Sequence, residues 1–201
     1  TARSSTEAKT LKERGGVNIF EANKISEAVI NFMKTCIKNK QKKSCLLVTM
    51  NNQQRDLIDE EIRFMASKSN EANEYMTIWD ETMEPFVVKN LENVQGDERD
   101  VIFISTLFGP NKDNKVMQRF GPINHPKGHR RLNVLFTRAK ERVELFTSLT
   151  PNAITEGGER GRQIFKNYLE YAKIQRLDTG VNTGRTTDSD FEDWVKEELE
   201  K

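Results

Sequence analysis

Short apolar runs alternate along this chain with segments whose apolar residues recur at helical spacing. Ile25, Val29, Phe32 and Cys36 show the helical spacing most clearly. Predicted helices cover about 20–38, 53–67, 130–140 and 161–174, and predicted strands cover 45–49, 75–78, 86–89, 101–105 and 142–147. Strands that alternate with helices indicate an α/β fold with a mostly parallel sheet and helices on both faces.

Length and charge limit the kind of protein that this sequence encodes. A chain of 201 residues is long enough for one α/β domain with a substantial core. A net charge of +1 gives no overall basic field, so any contact with nucleic acid must be local. Cys36 and Cys45 read as small core residues in a reducing compartment, which predicts a cytoplasmic protein without a signal peptide. We expect no metal site, because proline and glycine separate His125 from His129 and break helical spacing.

The segment from Arg130 to Lys140 combines helix-forming residues with several arginines. Read as one helix, it places Arg131 and Arg138 seven residues apart, so both project in nearly the same direction. That direction borders an apolar stripe, on which guanidinium groups suit an anionic ligand at a domain edge. The stripe consists of Leu132, Leu135, Phe136, Ala139 and Val143.

A polar loop, Val94–Asp100, directly precedes the apolar run Val101–Ser105. This loop (Val-Gln-Gly-Asp-Glu-Arg-Asp) resembles motif V of superfamily 1 helicases. The segment 130–140 (Arg-Arg-Leu-Asn-Val-Leu-Phe-Thr-Arg-Ala-Lys) resembles motif VI, and the match is closest to the 5′-to-3′ branch that includes the RNA-surveillance helicases. The resemblance covers roughly Ser44 to Lys173 and implies the second, C-terminal RecA-like lobe of such an enzyme.

The resemblance also implies roles for individual residues. Arg138 corresponds to the arginine finger at the γ-phosphate of ATP, and Arg131 to a second phosphate contact. Glu98 is expected to bind the ribose, and Gly96 to shape the nucleotide-side turn. Gln95 and Asn93 are expected to couple the nucleotide to single-stranded nucleic acid. In this family the first RecA-like lobe of the same polypeptide supplies most of the binding site for ATP and Mg²⁺.

The turn after the first predicted strand, Thr49–Arg55, resembles helicase motif IV. Met50 and Asn51 stand where relatives often have proline and tyrosine, which puts in doubt a stacking contact to the base. Gln54 and Arg55 remain candidates for contact with the nucleotide. The alternative is that this segment is simply the polar start of a helix.

Two elements of an ATPase are absent from the sequence. It has no Gly-x-x-x-x-Gly-Lys-Ser/Thr phosphate loop, and Leu57–Glu61, which superficially resembles an acidic box, has helical periodicity. We therefore expect a lobe that is inactive alone. The rival interpretation is a non-catalytic α/β module that binds nucleic acid or a partner protein through Arg119, Lys127 and Arg130.

The sequence also suggests domain boundaries. We expect the lobe to span 1–175 with a flexible start at 1–16, followed by a linker over 176–189 and a terminal helix over 190–201. The chain starts at Thr1 and reads as part of something longer. The terminal segment either docks on the lobe or opens a further domain resembling a small endonuclease, which would favour DNA over RNA. Its apolar stripe is Phe191, Trp194, Val195 and Leu199.

Overall fold

The computed structural model describes residues 16–178, except residues 112 and 114 and the side chains of 176–178. Its helices are α1 (Ile19–Lys38), α2 (Asn52–Ala66), α3 (Asn70–Asp80), α4 (Gly128–Phe136) and α5 (Arg160–Asp178). Its strands are β1 (Cys45–Thr49), β2 (Val88–Asn90), β3 (Arg99–Ser105) and β4 (Ala139–Phe146). Single 3₁₀ turns lie at Leu91–Asn93, Gly121–Asn124 and Pro151–Ala153.

The four strands form one sheet in the order β2-β1-β3-β4, and all neighbouring pairs are parallel. Cys45 lies opposite Val101, and Val101 lies opposite Arg142. Every residue of β1 is buried, as expected for an inner strand covered on both faces. The predicted α/β fold of RecA-like type with a parallel sheet is therefore confirmed.

Alternate side chains of the strands feed two apolar layers. On one face, Leu47 and Phe103 pack against α1, α2 and α3. On the other face, Leu46 and Ile102 pack against α4 and α5. The loop residues that matter for function are held at the two ends of this three-layer structure.

Residues 75–78 were predicted as a short strand, and this prediction was wrong. They belong to α3, which begins after Ser69, whose hydroxyl accepts a hydrogen bond from Ala72 N at 3.3 Å. The side chain of Tyr75 is buried, and its hydroxyl donates to Lys43 O at 2.7 Å. A short aromatic and apolar run fits a strand or a buried helix face, and here the cap at Ser69 favours the helix. The strand predicted at 86–89 is shifted to Val88–Asn90.

The arginine segment is not one continuous helix. Helix α4 ends at Phe136, and β4 begins at Ala139, so Ala139 and Val143 lie on a strand instead of a helical stripe. The backbone of Arg99 donates to Arg138 O at 3.1 Å, and Arg99 is paired with Ala139 in the sheet. Pairing with β3 thus outweighs the local helix propensity of residues 137–140. Arg131 and Arg138 consequently do not project from one helix face.

Some predicted features lie outside the described residues. These are the flexible start, except for Gly16, the terminal helix at 190–201, and most of the linker at 176–189. The backbone of α5 continues to Asp178, so the first residues of the predicted linker are helical. Within the described part of the chain, no helix is long and apolar enough to cross a membrane.

Candidate functional site

The predicted site residues lie at two opposite edges of the sheet. Glu98 and Arg138 immediately precede β3 and β4, at the amino edge where these strands begin. Gln54 and Arg55 lie in the first turn of α2, which follows the carboxyl edge where β1 ends. The seven residues of β3 separate these edges by roughly 20 Å at about 3.3 Å per residue. Gln54 and Arg55 therefore lie at the opposite edge of the sheet from Glu98 and Arg138.

Arg138 forms an ion pair with Glu98 at the amino edge. Its Nη1 lies 3.2 Å from Glu98 Oε1, and its Nε donates to Val134 O at 3.2 Å. The Arg138 side chain is 27% exposed and that of Glu98 is 57% exposed. The guanidinium is therefore fixed on one side by the backbone of α4 and open to solvent on the other.

Arg131 forms a second ion pair of the same kind. Its Nη1 lies 3.3 Å from Glu92 Oε1, and both side chains are partly exposed. Arg131 and Arg138 thus each contact one glutamate, and both glutamates belong to the connection between β2 and β3. The pair Glu98–Arg138 brings the predicted motif V and motif VI segments together, whereas Glu92, the partner of Arg131, lies just before the motif V segment.

The connection, defined here as residues 91–98, runs from the carboxyl edge at the end of β2 to the amino edge at the start of β3. Leu91 and Val94 are buried in the layer beneath α4. Asn93, Gln95 and Gly96 are exposed. Gly96 has φ +89°, a left-handed conformation that favours glycine. The connection therefore has two anchored apolar residues and an exposed glycine turn.

A buried arginine, Arg99, anchors the end of this connection. Its side chain is 4% exposed, and its guanidinium donates to Glu98 O at 2.8 Å and to Pro85 O at 3.0 Å. Asp97 lies 3.8 Å away and also pairs with Lys89. Sequence reasoning missed this role, because an arginine before an apolar run gives no sign that it is buried.

The carboxyl edge contains a polar network that the sequence analysis also missed. Glu21 is only 2% exposed, and both its carboxylate oxygens accept hydrogen bonds. Oε2 accepts from Ser105 Oγ and Leu107 N, both at 2.8 Å, and Oε1 accepts from Ser148 N at 2.7 Å. Burial raises the pKa of the Glu21 carboxyl, and these hydrogen bonds oppose the shift. One side chain thus joins the ends of β3 and β4.

Gln54 belongs to the same interior network. It is fully buried, its amide oxygen accepts from Asn18 N at 2.8 Å, and its amide nitrogen donates to Asn18 O and Ser105 Oγ. Through these bonds Gln54 has a structural role, because it fixes the backbone of Asn18 just before α1. Arg55 is partly exposed and pairs with its neighbour Asp56 at 2.7 Å.

A cleft of about 350 Å³ opens beside this network. Asn51 in its wall caps α2, accepting from Gln54 N at 2.8 Å, while Met50 is buried. Arg119 also lines the cleft and is exposed, as are Lys127 and Arg130. The long loop before α4 and the first turn of α4 therefore present basic side chains to solvent.

The two cysteines, Cys36 and Cys45, are both buried and unpaired, as predicted. Burial raises the pKa of the Cys36 thiol to about 11 and that of Cys45 to about 12, so both are protonated at neutral pH and neither is suited to nucleophilic chemistry. Among residues 16–178, no group of three His, Cys, Asp or Glu side chains could hold a metal ion.

Comparison with known proteins agrees with this architecture. A family model described as an AAA domain matches residues 2–149. An uncharacterised ATP-dependent helicase of Mycoplasma genitalium is 36% identical over 171 residues, covering 81% of this chain and 14% of the relative. Its homologue in Mycoplasma pneumoniae is 29% identical over 175 residues, covering 83% of this chain and again 14% of the relative. These matches confirm the predicted resemblance to a superfamily 1 helicase lobe, while the chain spans about a seventh of these relatives.

Proposed function

We propose a function for this chain from one premise: it belongs to the AAA domain family, whose model matches most of its length. The proposed function is that of a second motor lobe of an ATP-dependent helicase or translocase. In this proposal the first RecA-like lobe of the same polypeptide binds most of the ATP and its Mg²⁺. The present lobe closes on the nucleotide with its amino edge.

One observation carries the proposal: Glu98 contacts Arg138 at 3.2 Å at the amino edge, while Arg131 pairs with Glu92 at the other end of the same connection, 91–98. Arg138 would act as the arginine finger at the γ-phosphate, Arg131 as a second phosphate contact, and Glu98 as the ligand of the ribose. Phosphoryl transfer needs charge neutralisation at a dry interface, and a finger delivered by domain closure supplies it. Gly96 would shape the turn beside the nucleotide.

Nucleic acid would bind locally, since the overall charge of the chain is near neutral. The exposed Asn93 and Gln95 lie on the connection that runs between the two edges, which suits them to couple nucleotide to strand. Arg119, Lys127 and Arg130 supply exposed positive charge for phosphate contacts. We propose single-stranded nucleic acid as the partner, with DNA favoured over RNA.

The test is Arg138→Lys in the complete protein that contains both lobes. Lysine keeps the charge but loses the planar fork, so it cannot span two phosphate oxygens. We expect nucleic-acid-stimulated ATP hydrolysis to fall by about 100-fold or more, since arginine fingers contribute three to five powers of ten. The Kd for a labelled single strand should stay within about two-fold of the wild-type value. Arg131→Lys should show a milder loss of hydrolysis.

Arg142→Lys is the matched control. Arg142 has similar exposure, 22%, and pairs with Glu144 on β4 at 2.7 Å, well inside the strand. It should hydrolyse ATP at close to the wild-type rate. If Arg138→Lys retains wild-type hydrolysis, or if it unfolds the protein while Arg142→Lys does not, Arg138 is a structural arginine and the proposed role is wrong.

A further inference from the structure

The connection 91–98 supplies both acidic partners of the two candidate phosphate-binding arginines. Glu92 contacts Arg131 at 3.3 Å, and Glu98 contacts Arg138 at 3.2 Å. The proposed function explains Glu98, but it gives no role to Glu92. The acidic side chains of one eight-residue segment thus contact both guanidinium groups at positions that a phosphate could also occupy.

We propose that Glu92 and Glu98 act as an internal acidic latch, and that Glu92 is the positioning residue of Arg131. The inference rests on the proposed function. Each glutamate holds one arginine until the phosphates of ATP displace both. Glu98 then exchanges Arg138 for the ribose, whereas Glu92 is released without a new ligand.

The geometry of the two pairs makes this exchange easy. Each pair has one short contact between a guanidinium Nη and a carboxylate oxygen, instead of the two parallel bonds of a fork-to-fork pair. The Glu92 side chain is 51% exposed and that of Glu98 is 57% exposed, so solvent screens both pairs. A triphosphate carries more charge than one carboxylate and offers several oxygens to each fork. It should therefore compete successfully for both arginines.

The anchors of the connection determine what release would change. Leu91 and Val94 stay fixed in the apolar layer, and Arg99 holds the carbonyl of Glu98. Between these anchors lie the exposed Gln95 and the left-handed Gly96. Loss of the two ion pairs would remove side-chain restraints on both sides of this turn. ATP binding would thereby alter the segment proposed to contact nucleic acid.

Glu92→Gln in the complete protein tests the latch. The amide keeps the size of the side chain but weakens its hold on Arg131, so less ATP should be needed to displace it. We expect the KM for ATP, and the Kd for a fluorescent ATP analogue, to fall by about two- to five-fold, the range that corresponds to one exposed ion pair. The kcat should change by less than two-fold. If Glu92 merely supported the fold, its substitution would instead raise KM or lower kcat.

The matched control is Glu84→Gln. Glu84 also pairs with a basic residue near the amino edge, Lys140, at 2.6 Å, but Lys140 is not among the proposed phosphate contacts. This variant should leave KM unchanged. In an Arg131→Gln background, Glu92→Gln should no longer lower KM, because the arginine that it held is gone.

An unchanged or raised KM in Glu92→Gln, or the same decrease without Arg131, overturns the latch. Failure of the proposed function looks different. If Arg138→Lys hydrolyses ATP normally, the finger assignment fails, but the affinity change in Glu92→Gln still decides the latch. If the complete protein does not bind ATP at all, both the latch and the proposed function are refuted.

Discussion

The buried carboxylate of Glu21 gives a prediction about stability that does not depend on the proposed function. In Glu21→Gln, one carboxylate oxygen becomes an NH₂ group. Oε2 accepts from the backbone N–H of Leu107 and Oε1 accepts from the backbone N–H of Ser148. Either orientation of the amide therefore turns a donor towards a backbone donor. We expect Glu21→Gln to destabilise the fold although its shape is nearly unchanged.

The magnitude follows from these contacts. A buried backbone N–H that loses its acceptor costs about 1–3 kcal/mol. No cationic side chain is among the hydrogen-bond partners of Glu21 in the described part of the chain, so removal of its charge recovers part of the desolvation cost and keeps the total near the middle of this range. We therefore expect the free energy of unfolding to fall by about 2 kcal/mol. For a domain of this size, that corresponds to a decrease in Tm of about 4–8 °C.

Urea unfolding followed by circular dichroism, with calorimetry for Tm, measures this change. Glu74→Gln is the control, because it is the same chemical change at an exposed position on α3, away from the network. Its unfolding free energy should stay within about 0.5 kcal/mol of wild type. If Glu21→Gln also leaves the free energy of unfolding unchanged, the carboxylate does not hold the ends of β3 and β4 together, and the reasoning is refuted.

Three further predictions follow from the same structure. Burial raises the pKa of Glu21 above its ordinary value of 4.5, so the stability that this shift contributes is complete below pH 4.5 and is lost as pH rises through the folded pKa. The difference in free energy of unfolding between wild type and Glu21→Gln, measured by urea unfolding, should therefore be larger at pH 4.5 than at pH 8. In Gly128→Ala the new Cβ would lie 2.0 Å from Ile123 O, so the free energy of unfolding in the same assay should fall by about 3 kcal/mol. Gly96 has open space around it, so Gly96→Ala should lower the free energy of unfolding by only about 1 kcal/mol, through its positive φ. Equal losses in the two variants would contradict the predicted clash at Gly128. The chain alone should not hydrolyse ATP, since its sequence has no phosphate loop, and a turnover above about one per minute by the purified chain would refute this.

The sequence was most informative where burial and periodicity agreed. Cys45–Thr49 is apolar throughout and became an inner strand, and α1 and α2 follow the predicted apolar spacing closely. It was least informative where short segments fit two conformations. Residues 75–78 and 137–140 changed type because a cap at Ser69 and pairing with β3 acted on them from outside the local pattern. Local propensity carries no information on such partners.

The site was predictable as a set of motifs but not as a geometry. Glu98, Arg131 and Arg138 were identified by resemblance, and the structure joins them through the connection 91–98. Gln54 was identified by the same reasoning, yet it is buried and bonded to Asn18 at the other edge of the sheet. A motif fixes residue types along the chain, whereas sheet topology decides which of them share an edge.

The polar interior explains why that distinction matters for function. Glu21 lies four residues before Ile25, on the apolar face of α1, and its carboxylate bonds two chain segments more than 80 residues away. These bonds fix the carboxyl edge through donors and acceptors that belong to the lobe itself. Arg138 at the amino edge and Arg131 in α4 are instead each paired with an exposed glutamate. The carboxyl edge is thus fixed from within the lobe, whereas Arg131 and Arg138 contact exposed carboxylates. In the proposed function, the phosphates of ATP would replace these carboxylates while the fold at the carboxyl edge stays the same.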